Sequence, residues 1–296
     1  MKEHEFINII KDTLNSSYIG DDCAYLKDLG IVISQDNLVE DVHFSLNYTD
    51  AYKLGYKSAM VNISDVTASG AEPKYLTVGL SLPEAIDNQF IKDFYNGMKD
   101  ACPKIEIVGG DITGSEKIVI SVTAIGVTKN RKISSRRNAK IGYKIIVSGH
   151  HGSSGAGLKQ LEQGIKKSNF INSHLMPKAQ IEFSQTIAEN ISCDYAMMDT
   201  SDGLMDALQQ IAKASNVLLS IDFDKIPYDK TLEQFTDYKD LIFYGGEDYQ
   251  LVACVPKDFE VPNSFEIGRV KTGCGVEVNG IKIIDSENKF FNHFSK

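Results

Sequence analysis

The stretch TDAYKLGYKSAMVNISDVTASGA, Thr49 to Ala71, carries the reading that decides the fold. Ala51, Leu54, Ser58, Ala59, Asn62 and Val66 recur at helical spacing, Thr49 or Asp50 supplies an N-cap, and Gly70 supplies a stop. The face so marked is built from small residues, which predicts that another element packs close against it. Asn62, Asp65 and Ser69 fall at i, i+3 and i+7, so their polar groups lie along one side.

Strand patterns flank this helix. GIVISQD (Gly30 to Asp36) precedes it and ends in a carboxylate, and YLTVGLSL (Tyr75 to Leu82) follows. A second helix is predicted over Asp87 to Asp100. The apolar run Ile105 to Val108 then enters VGGDITG, where two glycines present Asp111. Glycine suits a sharp bend or a close backbone approach, so Asp111 is expected at a strand end. A side chain at Gly110 is expected to obstruct a ligand more than the fold. KIVISVTAIGVT (Lys117 to Thr128) is a long strand, and the basic loop from Lys129 to Lys140 reads as a connection. Beyond it, YKIIVSG, YAMMD, NVLLSIDF and YQLVACVP read as strands, and VEVNGIKI as a hairpin turning at Asn279-Gly280. Helices are predicted from about Leu158, from Lys178 to Glu189 and from Gly203 to Ala214. Strands and helices alternate without a strict βαβ cadence. The expected fold is therefore α/β of the α+β type, two domains of mixed sheets with flanking helices, over residues 1–137 and 138–296.

Composition narrows the function. A chain of 296 residues with 42% apolar content can bury two cores, and the net charge of −9 argues against a general nucleic-acid or anionic-membrane binder. RKISSRR (Arg131 to Arg137) is the best basic site for a phosphorylated ligand. The five cysteines form no C-x-x-C pair, and no apolar run nears the roughly 20 residues needed to span a bilayer. A reducing cytoplasm is the expected compartment. There is no P-loop and no kinase-type glycine loop followed by a strand lysine. GHHGSSGAG (Gly149 to Gly157) is either a phosphate cradle before a helix or a simple connector.

The acidic residues Asp22, Asp36, Asp65, Asp111, Asp199 and Asp202 carry the chemistry. Singly, each reads most simply as a turn former or helix cap. Together they would repel one another and raise their own pKa values, and bound cations would remove that cost. Oxygen ligands of this kind suit Mg²⁺ shared with substrate phosphates.

The segments IGDDCAYL, DNLVEDVHF, GYKSAMVNISDVTASGAEPKYLTVGLSLP, IVGGDITG, SSRRNAKIGYKIIVSG, SSGAGL, MDTSDGL and GGEDYQLV run through nearly the whole chain. In order and spacing they resemble the thiamine-monophosphate kinase family, within the superfamily that includes aminoimidazole ribonucleotide synthetase. The resemblance implies ATP-dependent phosphorylation of thiamine monophosphate to thiamine diphosphate. It implies metal ligands at Asp22, Ser34, Gln35, Asp36, Asp65, Asp111, Asp199 and Asp202, and nucleotide contacts at Gly110, Asp111, Arg136 and Ser201. Asp22, Asp65, Asp111, Asp199 and Arg136 are the expected catalytic set. His43, Glu247 and Phe291 match positions lining the thiamine phosphate site. At Ser34-Gln35 the chain departs from the family's usual hydroxyl pair. Arg136 rather than Arg137 is taken by its spacing to Ala139. A homodimer through the N-terminal domain is also implied. Two other readings share the aspartates: another ATP-dependent synthetase of the superfamily, and a non-catalytic ATP- and Mg-binding regulator. The VHF and GGEDY motifs speak against the first and the intact acidic set against the second.

Overall fold

The protein is represented by a computed structural model that describes residues 2–283 and residue 289. The N-terminal half runs α1 (Lys2–Leu14), β1 (Ala24–Leu26), β2 (Ile31–Val39), α2 (Ala51–Ala68), β3 (Glu72–Leu82), α3 (Asn88–Ala101), β4 (Glu106–Gly114) and β5 (Val119–Val127). The C-terminal half runs β6 (Lys144–Val147), α4 (Ser153–Glu162), α5 (Asn169–Leu175), α6 (Ile181–Asn190), β7 (Ala196–Asp199), α7 (Leu204–Ser215), β8 (Leu218–Ile221), α8 (Tyr238–Tyr244), β9 (Leu251–Val255), β10 (Phe265–Lys271), β11 (Gly275–Val278) and β12 (Ile281–Lys282). Each half builds one mixed sheet, ordered β1-β2-β5-β3-β4 and β12-β11-β8-β10-β6-β9-β7. Among the described residues no helix is long and apolar enough to cross a membrane.

Helix α2 forms where the spacing predicts it. The Asp50 side chain accepts from the Lys53 amide at 2.8 Å, and Gly70 stops the chain with φ +88°. Its small face meets α3 at backbone distance. A Cβ on Gly55 would lie 1.9 Å from the Phe94 carbonyl oxygen, and one on Gly97 would lie 1.9 Å from that of Tyr52. The opposite side of α2 lies on the sheet over Ile120, Val122 and Ala124, which are fully or almost fully buried. Burial of each such side chain stabilises the fold by about 1.5–3 kcal/mol. Helix α2 also packs on α5, α6 and β7, so it is an element the two halves share.

Strand β4 corrects the expectation for VGGDITG. The chain does not bend there: β4 continues through both glycines, pairing in parallel with β3, Val78 opposite Gly110 and Gly79 opposite Asp111. A Cβ on Gly110 would lie 1.9 Å from the Val78 carbonyl oxygen, whereas Gly109 has nothing within 4 Å. The sheet itself therefore demands glycine at 110. The predicted hairpin at Asn279-Gly280 does form, with both residues at positive φ.

Candidate active site

A cavity of about 1100 Å³ opens between the halves, lined by Asp36, His43, Tyr48 and Asp65 from one side and by His174, Ser201, Asp202, Tyr244 and Glu247 from the other. Asp65 lines one end, and behind it Asp22 and Asp199 each bring a carboxylate oxygen to within 4.8 Å of an Asp65 oxygen and of each other. They come from three separate places: the turn before β1, the last turn of α2 and the end of β7. Ser34 on β2 donates to Asp65, and Ser64 Oγ donates to Asp199 Oδ2 at 2.6 Å. Arg136 pairs with Asp22 at 2.9 Å, while its backbone amide donates to Asp21 at 2.8 Å. The arginine chosen by spacing is thus the one that reaches the acidic cluster.

The electrostatics are those of an anion-rich pocket. Burial pushes the Asp65 carboxyl well above its ordinary range, and the charges of Asp36, Asp199 and Asp22 push it the same way. Burial, aided by Asp22, raises Asp199 to about 7 against hydrogen bonds from Ser64 and Ser201. Asp22 is raised by burial despite Arg136. Asp199 Oδ1 is buried with no hydrogen-bond partner among the described residues. An orphaned carboxylate oxygen among crowded acids fits a hard cation, which takes oxygen ligands and repays their desolvation.

The structure gathers part of the predicted set. Asp36 lies on the α2 face of β2, its amide donating to Asn62 Oδ1 at 3.1 Å, close enough for its charge to raise both Asp65 and Asp199. Asp202 and Ser201 line the cavity beside the cluster. Gln35 does not turn its side chain to the cluster. It alternates to the far face of the sheet, bonded to Ser121 and Thr123 at 3.3 and 3.1 Å, so only its backbone remains on the cavity side. Ser34 spends its hydroxyl on Asp65. Asp111 stands apart from the cluster, exposed on β4, and register places it on the far face with Gly79, Ser121 and Asn37. Phe291 lies outside the described residues.

His43 lines the cavity, its Nδ1 accepting from the Val39 amide at 3.0 Å. Glu247, from the GGEDY segment, faces the cavity in a left-handed conformation, φ +65°. Its carboxylate meets Lys57 at 2.9 Å and His174 at 3.3 Å. Sequence reasoning passed over Lys57 and His174. Lys57 was visible at i−8 from Asp65 on one helix face, whereas His174 lies in a short helix with no motif. The glycine-rich loop GHHGSSGAG is neither a phosphate cradle nor a loose connector. The amides of Gly152 and Ser154 donate to Asp248 at 2.5 and 2.8 Å, so a carboxylate of the chain itself occupies the N-terminus of α4.

Comparison with known proteins agrees with this arrangement. The chain matches the AIR synthase related protein N-terminal domain over residues 20–128 and the corresponding C-terminal domain over residues 140–279. It is 37% identical over 308 residues to the thiamine-monophosphate kinase of Aquifex aeolicus, covering 99% of this chain and 98% of that one. It is 34% identical over 254 residues to the enzyme of the same name from Bacillus subtilis, covering 81% and 78%. A solved structure of AaThiL complexed with AMPPCP and TMP superposes with a TM-score of 0.91 at 36% identity, over 99% of this chain and 98% of that chain. The hydrogenase maturation protein HypE, at 20% identity and a TM-score of 0.71, shares the fold alone. The chain belongs to the thiamine-monophosphate kinase family, built from the two AIR synthase related domains.

Proposed function

We propose that this protein transfers the γ-phosphoryl group of ATP to the phosphate of thiamine monophosphate, giving thiamine diphosphate. The observation that carries the reading is the cluster of Asp22, Asp65 and Asp199, with its unpartnered Asp199 oxygen, at one end of a cavity large enough for both substrates. These three, with Asp36 and Asp202 beside them, would hold Mg²⁺. When bound, the metal neutralises the phosphates and aligns them for in-line transfer. The nucleophile is a phosphate oxygen already ionised near neutral pH, so no general base is required. Arg136 supplies fixed positive charge where phosphates gather, and the backbone of Ser201 braces the opposite wall by accepting from the Glu247 amide at 2.6 Å. His43 and Glu247 line the acceptor's part of the cavity, with Phe291 a third member on resemblance.

The same reading assigns nucleotide, metal and dimer contacts to residues 1–137 and completion of the site to residues 138–296, in the cytoplasm. Asp111 and Gly110 enter through a homodimer. Val108 and Ile112 are 54% and 64% exposed on β4, and a second copy laid on this edge would cover them and bring Asp111 to a nucleotide held across the interface. The deciding experiment incubates pure protein with ATP, Mg²⁺ and thiamine monophosphate and assays thiamine diphosphate. Turnover of a ribonucleotide amide instead would favour the synthetase reading, and tight ATP-Mg binding without turnover would favour the regulator.

A further inference from the structure

A network of buried groups lies behind the acceptor's end of the cavity, and the transfer chemistry does not call on it. The Lys57 side chain is 3% exposed, and its Nζ lies 2.9 Å from Glu247 Oε2. His174 is 2% exposed, and its Nδ1 lies 3.3 Å from the same oxygen and 3.0 Å from Ser154 Oγ. Both contacts fall on the same carboxylate oxygen, Oε2. His174 lines the cavity, and its Nε2 is buried with no hydrogen-bond partner among the described residues. The ring edge of Tyr48 stands against it, centroids 6.3 Å apart.

The backbone is fixed as firmly as the side chain. Glu247 is held at φ +65°, a conformation that residues with a Cβ rarely adopt, and its amide is tied to Ser201 O at 2.6 Å. A Cβ on Gly246 would lie 2.7 Å from that same oxygen, so the loop cannot be rebuilt around a bulkier neighbour. A carboxylate this enclosed would take up a proton if it had no counter-charge. Lys57 prevents that, holding the Glu247 carboxyl below its usual range against the opposing effect of burial. Burial, with Lys57 beside it, pushes His174 down to about 4, so the imidazole is neutral and stands against Glu247 as a packed ring bonded to Ser154 rather than as a charge.

The geometry points to Lys57 and His174 as positioning residues that hold the Glu247 carboxylate in place, aimed at the positively charged ring end of the acceptor. This rests on the acceptor reading above and deepens it, because it identifies what selects a cationic ring rather than a bare phosphate. Neither residue touches the reacting atoms.

The test is Lys57→Met, with Lys57→Arg as the conservative variant. Thiamine monophosphate, phosphate-free thiamine and ATP-Mg serve as separate probes in calorimetry, alongside steady-state kinetics. Lys57→Met should weaken thiamine monophosphate and thiamine by the same factor, at least about thirtyfold, while ATP affinity stays within about twofold. The loss should appear in KM more than in kcat, and Lys57→Arg should recover part of it. The KM of the methionine variant should fall as pH rises and the uncovered carboxyl ionises, while that of the wild type stays flat. The groups facing Glu247 in that profile are Lys57 from α2, His174 from α5, His43 and Tyr48 from the loop after β2, and Asp248 and Tyr249 from its own segment. Loss of thiamine monophosphate binding alone, with thiamine unaffected, would make Lys57 a phosphate ligand and overturn the assignment. If Lys57→Met does not fold, the double variant Lys57→Met/Glu247→Gln removes both charges together. It should fold and still bind thiamine weakly, and wild-type thiamine affinity in it would overturn the inference. Wild-type protein that makes no thiamine diphosphate would remove the acceptor reading first, and this inference with it.

Discussion

At one end of the cavity Asp22, Asp65 and Asp199 crowd together with Arg136 as the paired cation, and their carboxyls are raised. At the other end Glu247 sits between Lys57 and His174, and its carboxyl is lowered. Both ends bury acid, and the opposite signs have one physical origin. A buried carboxylate is tolerated when a neighbour compensates it. Where the fold supplies the compensation, the group becomes rigid and stays charged. Where it withholds it, the proposed reading supplies a cation that arrives with the substrate. The contrast separates a place for recognition from a place for chemistry without reference to any motif.

The strongest way to break the contrast is to remove the arriving cation. With metal stripped and EDTA in excess, thiamine diphosphate formation should fall below detection, and full turnover under verified metal-free conditions would refute the role given to the acidic end. Next in size, Asp65→Asn should cut kcat/KM on the order of 10²–10³-fold. The same change relieves repulsion, so the metal-free protein should melt at a higher temperature than wild type. A lower metal-free Tm would mean that the cluster is already balanced within the chain.

Asp111→Asn sharpens the comparison, because Asp111 is acidic and assigned to the site yet stands outside both ends. Its activity should fall on the order of 10²-fold, while metal-free stability stays within about 0.5 kcal/mol of wild type, as for a surface change. Mixing Asp65→Asn and Asp111→Asn subunits should restore part of the activity if Asp111 serves the neighbouring copy's nucleotide. No recovery on proven subunit exchange would return Asp111 to its own chain or remove it from the site.

The smallest effect is a slope. Asp199 and Asp248 are both raised by burial, from about 3.8 unfolded to about 7 folded. Between those values the folded state holds more protons than the unfolded one, so stability is fully present below the unfolded pKa and falls as pH rises towards 7. Each group contributes at most about 1.4 kcal/mol per pH unit. Metal-free Tm should therefore drop from pH 5 to pH 7. Saturating Mg²⁺ should make the slope shallower but not flat, since Asp248 lies under α4 and stays raised. A Tm that climbs over this range in EDTA would contradict the assignment.

Much of this was legible in the residues. Helix α2, its cap, its stop and its close neighbour followed from periodicity and small side chains, because burial on one face leaves that signature. Arg136 and the single members Asp22, Asp65 and Asp199 came from the family resemblance, whereas their convergence, which joins a turn, a helix and a strand far apart in the chain, left no trace in the sequence. Strand β10 was not legible either. It lies between β8 and β6 yet buries only Ile267 and Val270, and a β-bulge falls between Glu266 and Gly268, so its alternation is broken. Gly110 was read as making room for a ligand, whereas the Val78 carbonyl across the sheet takes that room, a long-range contact with no local trace. Asp248 was hidden for the same reason: its partners are amides about a hundred residues away.

Lys57, Val61 and Asp65 fall at i, i+4 and i+8 on α2, and a helix rises about 1.5 Å per residue, so the two ends of the cavity are anchored about 12 Å apart on one rod. Thirteen of the eighteen residues in α2 are buried, which denies it room to flex. The helix is thus a gauge. Deleting or adding a single residue between positions 57 and 65 would shift one anchor by about 1.5 Å and swing it about 100° around the axis. No loop could absorb that error, so this eight-residue interval tolerates side-chain exchange at Val61 far better than any change of length.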